Sequence, residues 1–272
     1  ITKKEMRGIP HHLLDVASPK RIFTVSQYQK LAKKALADIL RRAPTPKRGR
    51  GPDRNVGSKI PIICGGTGLY IDALIYDYQL PQVPPQPKLR KQLEKNSTEE
   101  LFKQLKKSDP RRAANIDKNN RRRLIRALEI IITSKKPVPD LAILKDSKIS
   151  HYQILIIGIK KSPEELKRLI KKRLTRRLNG IIREVKNLHK PFSVAQGKQG
   201  LSWQRLDDLG LEYRYVSRYL RGLISKKEMI EILEKEIYRY AKRQMTWFKR
   251  NKEIFWVKNY QEAQKLTRGF LK

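Results

Sequence analysis

Ile60-Pro61-Ile62-Ile63-Cys64-Gly65-Gly66-Thr67-Gly68-Leu69-Tyr70 starts as an apolar, β-branched run and breaks into three glycines wrapped around a threonine. The run has buried-strand character, and Cys64 reads as a small buried residue at its end. The glycines let the backbone turn tightly and approach a partner closely. Such a strand-to-turn junction is the ordinary structural solution in α/β folds. It fits a ligand-binding loop and an ordinary structural turn equally well.

Upstream, Tyr28, Leu31, Ala32, Ala35, Leu36, Ile39 and Leu40 make one apolar stripe, predicting a helix from Ser26. Residues 41–59 break every pattern with Pro44, Pro46, Gly49, Gly51, Pro52 and Gly57 among basic residues, predicting a mobile basic loop. Residues 1–7 read as the middle of a loop without an initiator methionine, hence a fragment. His11 and His12 follow Pro10 on an extended piece, where neighbouring side chains face opposite ways, so they make a poor metal pair.

Downstream, residues 69–78 read as the helix fed by the glycine turn, and the proline-rich stretch 80–87 as a linker. Ser97 and Glu100 have capping-box spacing, and Asp109-Pro110 opens another short helix. A further helix spans residues 119–131, burying Leu124, Ala127, Leu128 and Ile131. Arg121, Arg122 and Arg123 crowd its start, where cations oppose the helix dipole; a bound anion or a solvated basic face would account for them. Residues 152–159 read as a second buried strand and 254–257 as a final one. Between them Ser162-Pro163 caps a helix carrying Leu166, Leu169, Ile170 and Leu174, and Ser225 and Glu228 cap a long last helix. The latter ends in Lys242-Arg243-Gln244-Met245-Thr246-Trp247-Phe248-Lys249, a mixture of cations, amide, hydroxyl and aromatics that suits phosphates and unstacked bases.

In 272 residues, 63 Lys and Arg stand against 26 Asp and Glu, a net charge of +37. A polyanion would screen that self-repulsion, and nucleic acid is the partner it favours. One cysteine excludes an internal disulfide, and four scattered histidines argue against a structural zinc site. No apolar run is long enough to cross a bilayer and no charged-then-apolar leader opens the chain, so a soluble, cytoplasmic protein is expected.

In their order, Pro10-His11-His12-Leu13-Leu14-Asp15, Gly65 to Tyr70, Arg126-Ala127-Leu128-Glu129, Gly210-Leu211-Glu212-Tyr213-Arg214 and Ala241 to Trp247 resemble the motifs of the tRNA dimethylallyltransferases, also called tRNA isopentenyltransferases. The resemblance spans nearly the whole chain. It implies an α/β fold with a P-loop NTPase-like parallel sheet core flanked by helices, comprising residues 1–79 and 120–272, and a small helical insertion domain over 80–119. It also implies transfer of a dimethylallyl group from dimethylallyl diphosphate to N6 of the adenosine 3′ of a tRNA anticodon, with Mg²⁺, by a monomer. No residue is assigned to the metal.

Position by position, the resemblance makes Thr67 the channel residue facing the target nucleotide, with Gly65, Gly66 and Gly68 lining the channel. Arg173 matches an arginine near the diphosphate, although the segment from it to Gly180 is one residue shorter than the family's. Arg90, Arg122, Arg123, Arg126, Tyr213, Arg214, Lys242, Arg243, Gln244, Thr246 and Trp247 match tRNA-contacting positions. The family's Walker-like phosphate loop and the aspartate base that follows it have no counterpart here, so the chain alone is expected to be inactive. Two other readings are a P-loop kinase or NTPase, which would not need the basic segment 242–247, and a non-catalytic RNA-binding protein.

Overall fold

The computed structural model describes residues 2–41, 59–139, 152–190 and 200–272. The basic loop expected over 41–59 lies almost wholly outside them. In chain order they form α1 (Lys3–Met6), α2 (Val25–Arg41), α3 (Gly68–Ile75), α4 (Pro87–Leu93), α5 (Thr98–Ser108), α6 (Pro110–Ala114) and α7 (Arg121–Ser134). There follow β1 (Ile156–Ile159), α8 (Pro163–His189), α9 (Trp203–Leu209), α10 (Leu211–Leu220), α11 (Lys226–Phe248), β2 (Ile254–Val257) and α12 (Tyr260–Phe270).

Two compact units result. The first takes Ile1–Phe23, Cys64–Gly68 and Gln153–Lys272. Its sheet is the parallel pair β1–β2, with Ile156 opposite Ile254 and Ile159 opposite Val257. The Ser162 hydroxyl accepts from the Glu165 N–H and Pro163 takes the first turn of α8, where its missing N–H costs no hydrogen bond. Ile170, Leu174, Leu178, Ile181 and Val185 then recur every three or four residues on the buried side of α8. Leu174 to Val185 share a core with Leu206 of α9, Val216 of α10, and Met229 and Leu233 of α11. The reciprocal capping box of Ser225 and Glu228 fixes where α11 begins.

The second unit takes Thr24–Ile63 and Leu69–Tyr152. Its core joins Leu101 and Leu105 of α5 to Leu124, Ala127 and Leu128 of α7, which supply facing apolar stripes. Here α7, grouped by the sequence with the larger domain, packs on the helices of 80–119. At another place in this unit the Gln29 amide of α2 donates to the Ala73 carbonyl at 2.7 Å and to the Tyr78 carbonyl at 3.0 Å. Lys33, one turn on, pairs with the buried Asp77.

Several local expectations are corrected. Residues 60–63 join no strand, and Ile60 and Ile62 are 52% and 85% exposed. A β-branched run becomes a strand only where a neighbour takes up its N–H and C=O groups, and the sheet of the described residues contains β1 and β2 alone. Cys64 is exposed, not buried. The strand expected over 152–159 shrinks to β1, leaving Tyr152 and Ile154 exposed. Residues 3–6 form a short capped helix, because the Thr2 hydroxyl accepts from the Glu5 N–H while the Glu5 carboxylate accepts from the Thr2 N–H. Leu169 of α8 is exposed, and α12 follows what the sequence marks as the last helix.

Candidate active site and nucleic-acid interface

The glycine turn lies against the end of α11. Gln244 donates a side-chain hydrogen bond to the Gly66 carbonyl at 2.9 Å. A Cβ on Gly66 would stand 2.2 Å from Gln244 Nε2, and one on Gly68 would stand 2.1 Å from Trp247 Cδ1. A side chain at Gly66 would displace the Gln244 amide, and one at Gly68 would run into the Trp247 ring, so α11 restricts both positions to glycine as packed here. Gln244 and Trp247 are three residues apart and therefore share a helix face. Thr67, between the two glycines, is exposed and immediately precedes α3. Gly65 is exposed too.

Lys242, Arg243 and Thr246 are exposed on α11. The Thr246 hydroxyl donates to the Lys242 carbonyl at 3.0 Å, the Arg243 guanidinium lies 5.7 Å from the Tyr240 ring centre, and Arg250 lies 5.0 Å from that of Trp247. A groove of about 310 Å³ between α8 and α11 is lined by Lys167, Arg168, Lys171, Lys235, Glu234, Ile170 and Tyr238. Lys167 Nζ is 5.5 Å and Lys242 Nζ 6.0 Å from the Tyr238 ring centre, giving an aromatic face flanked by cations. The sequence motifs do not single out Tyr238 or Lys235; the four-residue spacing from Tyr238 to Lys242 on a long helix is the signal that finds the former. Arg173 is exposed on α8, next to buried Leu174.

Other candidates are already engaged within the protein. Tyr213 donates its hydroxyl proton to Glu184 at 2.7 Å, and burial together with that carboxylate pushes the phenol up to about 12. Arg214 Nε donates to the Asp207 carbonyl at 3.0 Å. Gly210, with φ +82°, separates α9 from α10 just before them.

In the second unit Arg90 and Arg126 both hold the buried Glu129, with Arg126 Nη1 2.5 Å from Oε2. Burial pushes the Glu129 carboxyl up, but hydrogen bonds from Arg90, the Gln86 N–H and Arg126 outweigh it and leave the group below the usual carboxylate range. The Arg122 and Arg123 side chains are exposed near the start of α7. Among the described residues no three His, Cys, Asp or Glu side chains gather into a metal cage. No described helix is long and apolar enough to cross a membrane.

A family model described as IPP transferase matches residues 1–251. This chain belongs to the IPP transferase family. It is 38% identical over 259 residues to the tRNA dimethylallyltransferase of Anoxybacillus flavithermus, an alignment covering 94% of this chain and 75% of that one. The crystal structure of the full-length tRNA isopentenylpyrophosphate transferase from Bacillus halodurans matches with a TM-score of 0.59 and 30% identity, covering all of this chain and 80% of the other. A eukaryotic dimethylallyltransferase captured acting on tRNA shares the fold, with a TM-score of 0.62 and 20% identity over 97% of this chain and 63% of that one. The α/β class with a parallel sheet and flanking helices therefore stands, and the fold is of the P-loop NTPase-like kind.

Proposed function

We infer that this IPP transferase family member prenylates tRNA, transferring a dimethylallyl group to N6 of the adenosine 3′ of the anticodon. The observation that carries this reading is the junction of two family-like segments: the Gly65 to Tyr70 turn rests on the Ala241 to Trp247 segment of α11, leaving Thr67 exposed. The P-loop kinase reading gives no reason for that segment.

In the reaction the adenine N6 forms a bond to the allylic carbon, the carbon–oxygen bond to diphosphate breaks, and N6 loses a proton. Catalysis therefore needs an in-line approach and cations for the departing negative charge. Thr67 takes the role of fixing the target nucleotide, and Arg173 that of meeting the diphosphate. The exposed Arg122, Arg123, Lys242 and Arg243 are the phosphate-contacting cations of this reading. Dimethylallyl diphosphate as the donor, a monomeric state and a cytoplasmic location belong to it as well. Among the described residues no three carboxylate, imidazole or thiol side chains gather, so no step here passes through the Mg²⁺ that the resemblance implies.

The test uses protein translated from its uninterrupted reading frame, with tRNA and labelled dimethylallyl diphosphate. The expected product carries the label on N6 of the adenosine 3′ of the anticodon. Label on no tRNA would overturn the reading.

A further inference from the structure

We propose that Gln244 and Trp247 are positioning residues that clamp the glycine turn from one face of α11 and thereby aim Thr67, instead of contacting tRNA themselves. The proposal rests on the reading of Thr67 as the residue facing the target nucleotide. Gly66 sits at a bend and Gly68 is the first residue of α3. Gly66 and Gly68 both meet α11 with no space for a Cβ. Thr67 lies between them and is exposed.

The two contacts are of different kinds and act on different peptides. The Gln244 amide fixes the carbonyl of Gly66 through a directional hydrogen bond. The Trp247 indole closes the space over Gly68, and the Arg250 guanidinium lies over that same ring. With both peptides held, the intervening Thr67 has little rotational freedom in its backbone, and its hydroxyl enters the reaction already aimed. Lys242, Arg243 and Thr246 remain exposed on the same stretch and can meet RNA without disturbing the clamp.

A double-mutant cycle separates positioning from direct contact. Gln244→Leu is expected to lower kcat about tenfold, the order of one lost hydrogen bond, while KM and Kd for tRNA stay within about twofold. In a Thr67→Ala background the same substitution should cost almost nothing further, because the group it aims has gone. Gly66→Ala, which displaces Gln244 from the opposite side, should reproduce the phenotype and guards against a folding defect peculiar to one variant. Weakened tRNA binding at unchanged kcat, or effects that multiply across the cycle, would overturn the clamp.

A second readout needs no activity. In protein labelled with ¹⁵N-glycine, Gln244→Leu should move the amide signals of Gly66 and Gly68 and spare that of Gly180, which lies on α8. Unmoved Gly66 and Gly68 signals overturn the clamp whatever the kinetics. If those signals move but the unsubstituted protein labels no tRNA, the clamp stands and the prenyl-transfer reading fails.

Discussion

Arg90 grips Glu129 through two parallel hydrogen bonds, Nε to Oε1 and Nη2 to Oε2, each 2.7 Å long. The Glu129 side chain has no exposed surface, and it also accepts from the Gln86 backbone N–H at 2.6 Å and from Arg126. Arg126 reaches on to the Val83 carbonyl at 2.8 Å. One carboxylate thus ties the linker before α4, and α4 itself, to α7. Two arginines that the sequence offers to RNA are engaged in building the second unit.

Removing that carboxylate should cost stability before it costs RNA affinity. Glu129→Ala leaves two guanidinium groups without their partner, and losing one side of a buried ion pair costs about 3–5 kcal/mol. Arg90 and Arg126 are each about one-third exposed and can be rehydrated, so the expected loss is at the low end, about 3 kcal/mol. Urea unfolding measures it. A Glu129→Ala midpoint equal to that of the unsubstituted protein would show that the network is dispensable.

The same carboxylate gives a pH dependence of definite sign. Its folded-state pKa is depressed, so its contribution is complete above the unfolded value, about 4.3, and is lost as pH falls through the folded value. Against Glu129→Gln, the protein should therefore hold a constant advantage in Tm at neutral pH that closes only under more acidic conditions. Glu100 and Glu228 are shifted in the same direction by their capping boxes but are fully exposed, so their variants should show a much weaker dependence. An advantage that closed between neutral pH and the ordinary carboxylate range would contradict the assignment.

Local features of the fold are legible in the sequence because local chemistry determines them. Ser97 with Glu100, Ser162 with Pro163, and Ser225 with Glu228 announce their helices within four residues, and each helix starts where they say. Asn259 and Glu262 carry a similar signal for α12: the Glu262 N–H donates to Asn259 Oδ1 at 2.9 Å. Residues 60–63 mislead because a strand depends on a neighbour that the run itself does not encode. Within the candidate site, the Arg126–Glu129 spacing of three residues is readable on a helix, whereas the Arg90–Glu129 pair spans 39 residues. The glycines of the turn stand out in the sequence, but Gln244, which holds the Gly66 carbonyl, is 178 residues away from it.

Glycines of different origin should respond in opposite senses to alanine. Gly180 lies on the exposed side of α8, and a methyl group added there would have no neighbour within 4 Å, so Gly180→Ala should stabilise by up to about 1 kcal/mol through helix propensity. Gly68 also lies in a helix, but its added methyl would meet the Trp247 ring, and such overpacking costs about 1–3 kcal/mol. Gly210→Ala has open space but keeps φ +82° with ψ −176°, a region used almost only by glycine, at a cost of about 1–3 kcal/mol. Thermal unfolding of the three variants should rank Gly180→Ala above the unsubstituted protein and the other two below it.

The salt dependence of tRNA binding separates cations that meet phosphate from those that build the fold. At a net charge of +37, affinity should fall steeply with salt, because each phosphate contact releases condensed counterions. Arg122, Arg123, Lys242 and Arg243 are exposed, and replacing any one that meets a phosphate should reduce the log–log slope by about 0.7–0.9. Arg90 is held by both oxygens of Glu129, so Arg90→Ala should lower the unfolding midpoint while leaving the slope unchanged. A slope reduced by Arg90→Ala as much as by Lys242→Ala would mean that tRNA draws the Arg90 guanidinium away from Glu129. Glu129→Gln would then strengthen binding at low salt by releasing Arg90, whereas an arginine with a purely structural task gives no such gain.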